Sequence, residues 1–300
     1  MPRPNPSRSE TMAAFPERLD LYGQALARWL HERGPLRLIV RMPGNIGDAL
    51  IWRGTADLFE RHRIDAERID HRQALDGPHP DTTLVIPGSG ALTRLWHEWL
   101  PELIERAAAQ YRQVVVLASD YDPDVPVVAR ALALPNVWAI ARQPLSYAAI
   151  RPFGRAVLMP DPALWCRRFH LAAPAASPPA AAHEHPEEPL LLALRTDRGS
   201  CLADLPLRPD PQRNRDLSRV APDLDAFLDA VDAAAHVVTD RLHIAVSAVM
   251  LGKRLSWIDP YDRKISTYLA FAFEEPQRRR CAPLSLEELQ ERGWLVPKEG

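Results

Sequence analysis

Arg241 and His243 stand two residues apart in the run Val238-Thr239-Asp240-Arg241-Leu242-His243, where a short apolar strand gives way to an apolar helix. Arginine stays charged, and its planar fork takes two oxygens of a carboxylate or phosphate at once. Imidazole exchanges a proton near neutral pH and can serve in either direction. Leu242, Ile244, Val246, Ala248 and Val249 are expected to bury the helix, leaving the cation and the imidazole aimed at a cleft. The competing reading is a buried structural Arg–His pair, a costly way to build structure alone.

Two glycine turns accompany this junction. Gly44-Asn45-Ile46-Gly47-Asp48 lies between a predicted strand and a predicted helix. There the glycines let the backbone approach a ligand, and free N–H groups at a helix start suit a phosphate or carboxylate. The spacing is not G-x-G-x-x-G and no Walker lysine follows, so neither a dinucleotide site nor a P-loop is indicated. Asp48 would either cap the helix or face the ligand. Gly88-Ser89-Gly90 follows a second predicted strand, at the carboxyl edge where open parallel sheets bind ligands. Trp96 and Trp99 come just after it and would stack a sugar ring or simply pack.

The elements that must position these residues alternate short apolar runs with helical periodicity, the pattern of βα units and parallel sheets. Strands are predicted at 36–42, 83–87, 113–119, 137–141, 190–195, 236–239 and 254–258. Helices are predicted at 16–32, 48–61, 98–111, 125–134, 224–235 and 241–251, the last stopped by Gly252. Residues 171–189 are almost entirely Ala, Pro, His and Glu and read as a linker. The fold class expected is therefore α/β, two Rossmann-like lobes of GT-B-like shape, 1–170 and 190–300, with a cleft between.

Three hundred residues suit two such lobes. With 37 basic and 39 acidic side chains, the chain lacks the basic excess of a nucleic-acid binder. Cys166, Cys201 and Cys281 are too scattered for a disulfide framework or a zinc site, which fits a reducing cytoplasm. His183-Glu184-His185 lacks a third fixed ligand, so no metal is expected. No segment approaches the ~20 apolar residues of a membrane span. The run from Arg208 to Arg219, with Arg213 and Arg215, reads as a solvated basic loop or as a surface meeting a diphosphate.

Taken together, Gly44-Asn45-Ile46-Gly47-Asp48-Ala49-Leu50-Ile51, Gly88-Ser89-Gly90 and Thr239-Asp240-Arg241-Leu242-His243 followed by Gly252-Lys253 resemble the polysaccharide pyruvyl transferase family. Arg142-Gln143-Pro144-Leu145-Ser146, Asp161-Pro162-Ala163-Leu164 and Leu194-Arg195 also look like its pattern, whereas Asp240 stands where a serine is common. The resemblance implies a bacterial transferase that moves a pyruvyl group from phosphoenolpyruvate, its donor substrate, onto a sugar or lipid-linked oligosaccharide of a surface polysaccharide. No cofactor is implied, and peripheral association with the inner membrane face is. Arg241, Arg195 and Arg142 would bind the donor together with the two glycine turns, His243 and Asp48 would move protons, and Trp96 and Trp99 would meet the acceptor. The rival readings are a GT-B glycosyltransferase using a nucleotide sugar and a non-catalytic sugar-binding protein of the same fold.

Overall fold

In the computed structural model, which describes residues 8–171, 188–259 and 263–298, six parallel strands form one sheet. They are β1 (Leu36–Arg41), β2 (Glu67–Asp70), β3 (His79–Ile86), β4 (Tyr111–Ser119), β5 (Val137–Ala141) and β6 (Ala156–Leu158), in the order β2-β1-β3-β4-β5-β6. Sheet growth reverses between β1 and β3, and the carboxyl ends of strands flanking such a switch point are where open α/β sheets take ligands. The two glycine turns follow β1 and β3. Val114 to Ala118 in β4 are all fully buried, the continuous apolar run of a strand covered on both faces.

Two departures from the sequence expectation have local causes. β3 starts at His79, four residues early, and its pairing with β4 shifts register between His79 and Thr83, where Pro80 cannot donate to the ladder. The first helix runs Arg8–His31 with Pro16 inside it rather than at its start, since one proline removes one backbone donor and the helix continues on both sides.

Among the described residues, a second sheet holds β7 (Leu190–Ala193), β9 (His236–Thr239), β10 (Arg254–Trp257) and β11 (Cys281–Pro283), all parallel, in the order β11-β10-β9-β7. A separate antiparallel ladder joins β8 (Leu207–Pro209) to β12 (Leu295–Pro297). The helix Leu242–Met250 buries Leu242 and every residue from Ile244 to Val249, the expected apolar face and more. It ends in a Schellman turn: Gly252 is left-handed at φ 68°, its N–H reaches Val249 O, and the Lys253 N–H reaches Ala248 O.

The chain divides into two units. One comprises the described residues of Met1–Met42, Ile51–Cys166 and Ala270–Arg279, and the other those of Pro43–Leu50, Arg167–Leu269 and Arg280–Gly300. Apart from Leu171, Glu188 and Pro189, the expected linker lies outside the described residues, as do His183, Glu184 and His185.

Candidate active site

The register of β7 on β9 sets the geometry of the second unit's carboxyl edge. Ala193 pairs with Thr239, so Arg195 and Arg241 leave the sheet at the same height, each two residues past the pair. Thr239 ties the strand ends together: its hydroxyl donates to the Ala193 carbonyl at 2.8 Å and accepts the Arg241 N–H at 3.0 Å. Asp240, wholly buried, accepts the N–H of Arg195 at 2.7 Å and of Cys201 at 3.4 Å. Burial pushes its carboxyl above the usual range although both arginines oppose this. Burial, reinforced by Asp240, also pushes the Cys201 thiol up to about 12, which removes it as a nucleophile.

Arg241 is buried and held by two carboxylates. Its Nε and Nη2 donate to Oδ1 and Oδ2 of Asp216, both at 2.6 Å, and Nη2 also reaches Asp197 Oδ2 at 2.9 Å. Burial alone would lower the guanidinium's pKa, but the bonds and charges of Asp216 and Asp197 prevail and raise it. Asp197 in turn takes Arg195 Nε at 3.0 Å; burial would raise its carboxyl, and the arginines pull it down to about 2. The Arg195 guanidinium packs close on Gly199, where an added Cβ would stand 2.6 Å from Nη2, so a larger residue there would have to push it aside.

Asp216 arrives from a segment that runs beside β7. The Asn214 side chain exchanges bonds with the backbone of Leu194 at 2.8 and 3.0 Å, and the Arg215 N–H reaches Leu192 O at 2.8 Å. Thr196 then gives both its N–H and its hydroxyl to Asp216 Oδ2, each at 3.0 Å. The result is a continuous ionic chain, Arg195–Asp197–Arg241–Asp216.

His243 is half-buried at the second position of its helix. Its ring rests on Gly47, where an added Cβ would lie 2.8 Å from Nδ1. Gly47 is itself the second residue of the helix Ile46–Arg61. Capping there is reciprocal: Asn45 Oδ1 accepts the Gly47 N–H at 2.8 Å, and Asp48 Oδ2 accepts the Asn45 N–H at 2.9 Å. The cap itself is therefore Asn45, with Asp48 reaching back to it. Two helix N-termini thus meet at His243, and both favour an anion. Gly47→Ala is expected to displace the imidazole and lower turnover about tenfold or more with little change in melting temperature, measured by steady-state kinetics and thermal unfolding.

The first unit holds the remaining residues. Arg142 is 3% exposed, with Nη1 on Asp161 Oδ2 at 2.9 Å and Nη2 on Asp120 Oδ2, so both terminal nitrogens are engaged by carboxylates. The Ser89 N–H donates to Ser119 Oγ at 3.0 Å, which fixes Gly88-Ser89-Gly90 to the end of β4. Trp99 precedes the helix Leu100–Ala108, packs against the core and meets the His71 ring edge-on, while Trp96 is half-buried in the loop before it. The sequence offered no sign of Asp216, Asp120 or Gly199; Asp197, two residues past Arg195, was visible but had no assigned use.

A family model described as polysaccharide pyruvyl transferase matches residues 45–262, from the Asn45 cap past the end of β10. The chain belongs to the polysaccharide pyruvyl transferase family. As a member it is a transferase, and the matched span contains Gly47, Arg195, Arg241 and His243. Its fold is shared with an uncharacterised protein of Klebsiella pneumoniae subsp. pneumoniae NTUH-K2044, at a TM-score of 0.68 and 16% identity over 89% of this chain and 98% of that one. No curated protein matches it. Among the described residues of this pyruvyl transferase family member, no helix is long and apolar enough to cross a membrane.

Proposed function

We propose that the chain transfers the pyruvyl group of phosphoenolpyruvate to two hydroxyls of a sugar, in a surface polysaccharide or its lipid-linked repeat unit, forming a cyclic ketal. One observation carries this reading: a guanidinium and an imidazole leave a single strand-to-helix junction, with a second helix N-terminus packed on the imidazole.

The donor carries a carboxylate and a phosphate on a three-carbon skeleton. Arg241 and Arg195 are the cations for these groups, and the two carboxylates bound to Arg241 hold its fork in one orientation before the donor arrives. His243 delivers a proton to the methylene carbon, which becomes the methyl group, and C2 becomes open to attack. One sugar hydroxyl adds to C2; the second then displaces the phosphate. Two hydroxyl protons are released and one is consumed, so inorganic phosphate leaves with the balance. Asp48 is the candidate base for an acceptor hydroxyl. Arg142 enters as a positioning residue, holding Asp120 and Asp161 at the carboxyl edge of the first sheet. In this reading the donor belongs to the second unit and the acceptor, stacked on Trp96 or Trp99, to the first, with the enzyme working in the cytoplasm at the inner membrane face.

A glycosyltransferase of similar fold would need a strand-end carboxylate to grip a nucleotide's ribose. Asp197 and Asp240 follow strand ends and Asp216 lies beside them, but all three are engaged by Arg195, Arg241, Thr196 and backbone N–H groups. Thermal unfolding with phosphoenolpyruvate or with UDP- and GDP-sugars separates the two readings. Phosphoenolpyruvate is expected to stabilise the chain by about 2.7 kcal/mol at a hundredfold excess over its Kd. Stabilisation by nucleotide sugars alone would transfer the assignment to glycosyl transfer.

A further inference from the structure

The second unit contains a pocket of 580 Å³ whose walls carry Arg195, Arg198, Arg208, Arg219 and Lys298 against two acids, Asp197 and Asp216. That volume lies within the about 300–1,000 Å³ usual for small-molecule sites and exceeds what a three-carbon donor fills.

Both acids are committed elsewhere: Asp216 to Arg241 and Thr196, Asp197 to Arg241 and Arg195. Among the described residues, Arg219 and Lys298 are not neutralised in the same way. Arg219 reaches the Thr196 hydroxyl, at 3.4 Å, and Lys298 Nζ reaches the carbonyls of Leu202 and Ala203 at 3.1 and 2.7 Å. These partners are neutral, so within the described residues the two positive charges remain to be met. The β8–β12 ladder fixes the far wall. It pairs Arg208 with Val296, and the Lys298 N–H closes it on Pro206 O at 2.9 Å. Leu202, Leu207 and Val220 add apolar surface, with Val220 57% exposed.

An uncharged sugar would leave these cations unmet. A single carboxylate would meet one wall only. We propose that the pocket binds a diphosphate ester, its phosphates between Arg208, Arg219 and Lys298 and its organic substituent over Leu202, Leu207 and Val220. Of the four arginines between 208 and 219, Arg208 and Arg219 line the pocket while Arg213, paired with Asp210, and Arg215 do not. The assignment of this ester to the carrier end of the acceptor rests on the function proposed above; the binding itself does not. Either a lipid or a nucleoside could supply the diphosphate.

Titration calorimetry on the full chain with inorganic pyrophosphate, farnesyl diphosphate, UDP and phosphoenolpyruvate tests this. Pyrophosphate should bind the wild type. The Arg219→Gln/Lys298→Ala double variant should weaken it by about tenfold or more per cation, leaving phosphoenolpyruvate affinity unchanged. Both side chains are exposed, so folding should persist; Arg219→Gln alone serves if the double variant does not fold. Arg213→Ala, outside the pocket, should bind as the wild type does. Tighter binding of farnesyl diphosphate than of pyrophosphate supports a lipid source, and tighter binding of UDP supports a nucleoside source. The pocket assignment is overturned if pyrophosphate does not bind, if Arg213→Ala weakens it equally, or if the double variant binds it normally. Pyrophosphate binding that depends on Arg219 and Lys298, with no phosphoenolpyruvate binding, would sink the donor reading and leave the pocket standing.

Discussion

His243→Ala is expected to cut pyruvyl transfer at least about 100-fold while melting as the wild-type chain does, since positioned proton transfer contributes roughly 10²–10⁴ in rate. The side chain is half-buried, the bond from Ser247 Oγ at 2.7 Å goes to the His243 backbone carbonyl, which alanine keeps, and alanine is the better helix former. Phosphate release from phosphoenolpyruvate in the presence of acceptor, followed alongside thermal unfolding, gives both readouts. His243→Gln keeps hydrogen bonding but cannot exchange a proton at neutral pH, so it should be as slow as alanine. Full turnover by the glutamine variant would reduce the imidazole to a hydrogen-bonding or packing group. Unchanged transfer in both variants would remove the proton-transfer role altogether.

The strand-to-helix junction that carries Arg241 and His243 was legible because it sits where local pattern is strongest. β5 and β9 follow the expected bounds, and the helix after β9 was readable through to its Gly252 stop, because short apolar runs with sharp ends leave little choice. The short or polar elements were not. β8, β11 and β12 have three residues each, too few for any period, and β2 is Glu-Arg-Ile-Asp, an edge strand that buries only Ile69. Long-range pairing was equally silent. Asp216 lies 25 residues before Arg241, and nothing in its neighbourhood marks it as that arginine's bidentate partner. Similarly, Phe273 stacks on Phe15 at 5.5 Å and Glu274 pairs with Arg18, so a segment late in the chain packs with the earliest helix. The sequence could present an arginine at a strand end; only the folded chain shows how many carboxylates already hold it.

That difference makes Arg241 the residue whose loss should be felt twice. Arg241→Ala leaves Asp216 without its fork partner in a buried site, and breaking a buried pair from one side costs about 3–5 kcal/mol, which for a chain of this size lowers the melting temperature by roughly ten degrees. The same change should reduce kcat/KM for phosphoenolpyruvate at least about 100-fold through loss of a charge-assisted contact. Stability and donor binding are then confounded in the single variant, and a second change separates them. In Arg241→Gln/Asp216→Asn a neutral amide pair replaces the ion pair, and Asn keeps an acceptor for the N–H and hydroxyl of Thr196, now at Asp216 Oδ2. Removing both charges together avoids the stranded carboxylate, so the double variant should regain much of the lost melting temperature. Transfer should not return with it, because no cation remains at that position. Recovery of activity together with stability would mean that Arg241 serves only to neutralise Asp216, and the donor's charge would have to be met by Arg195.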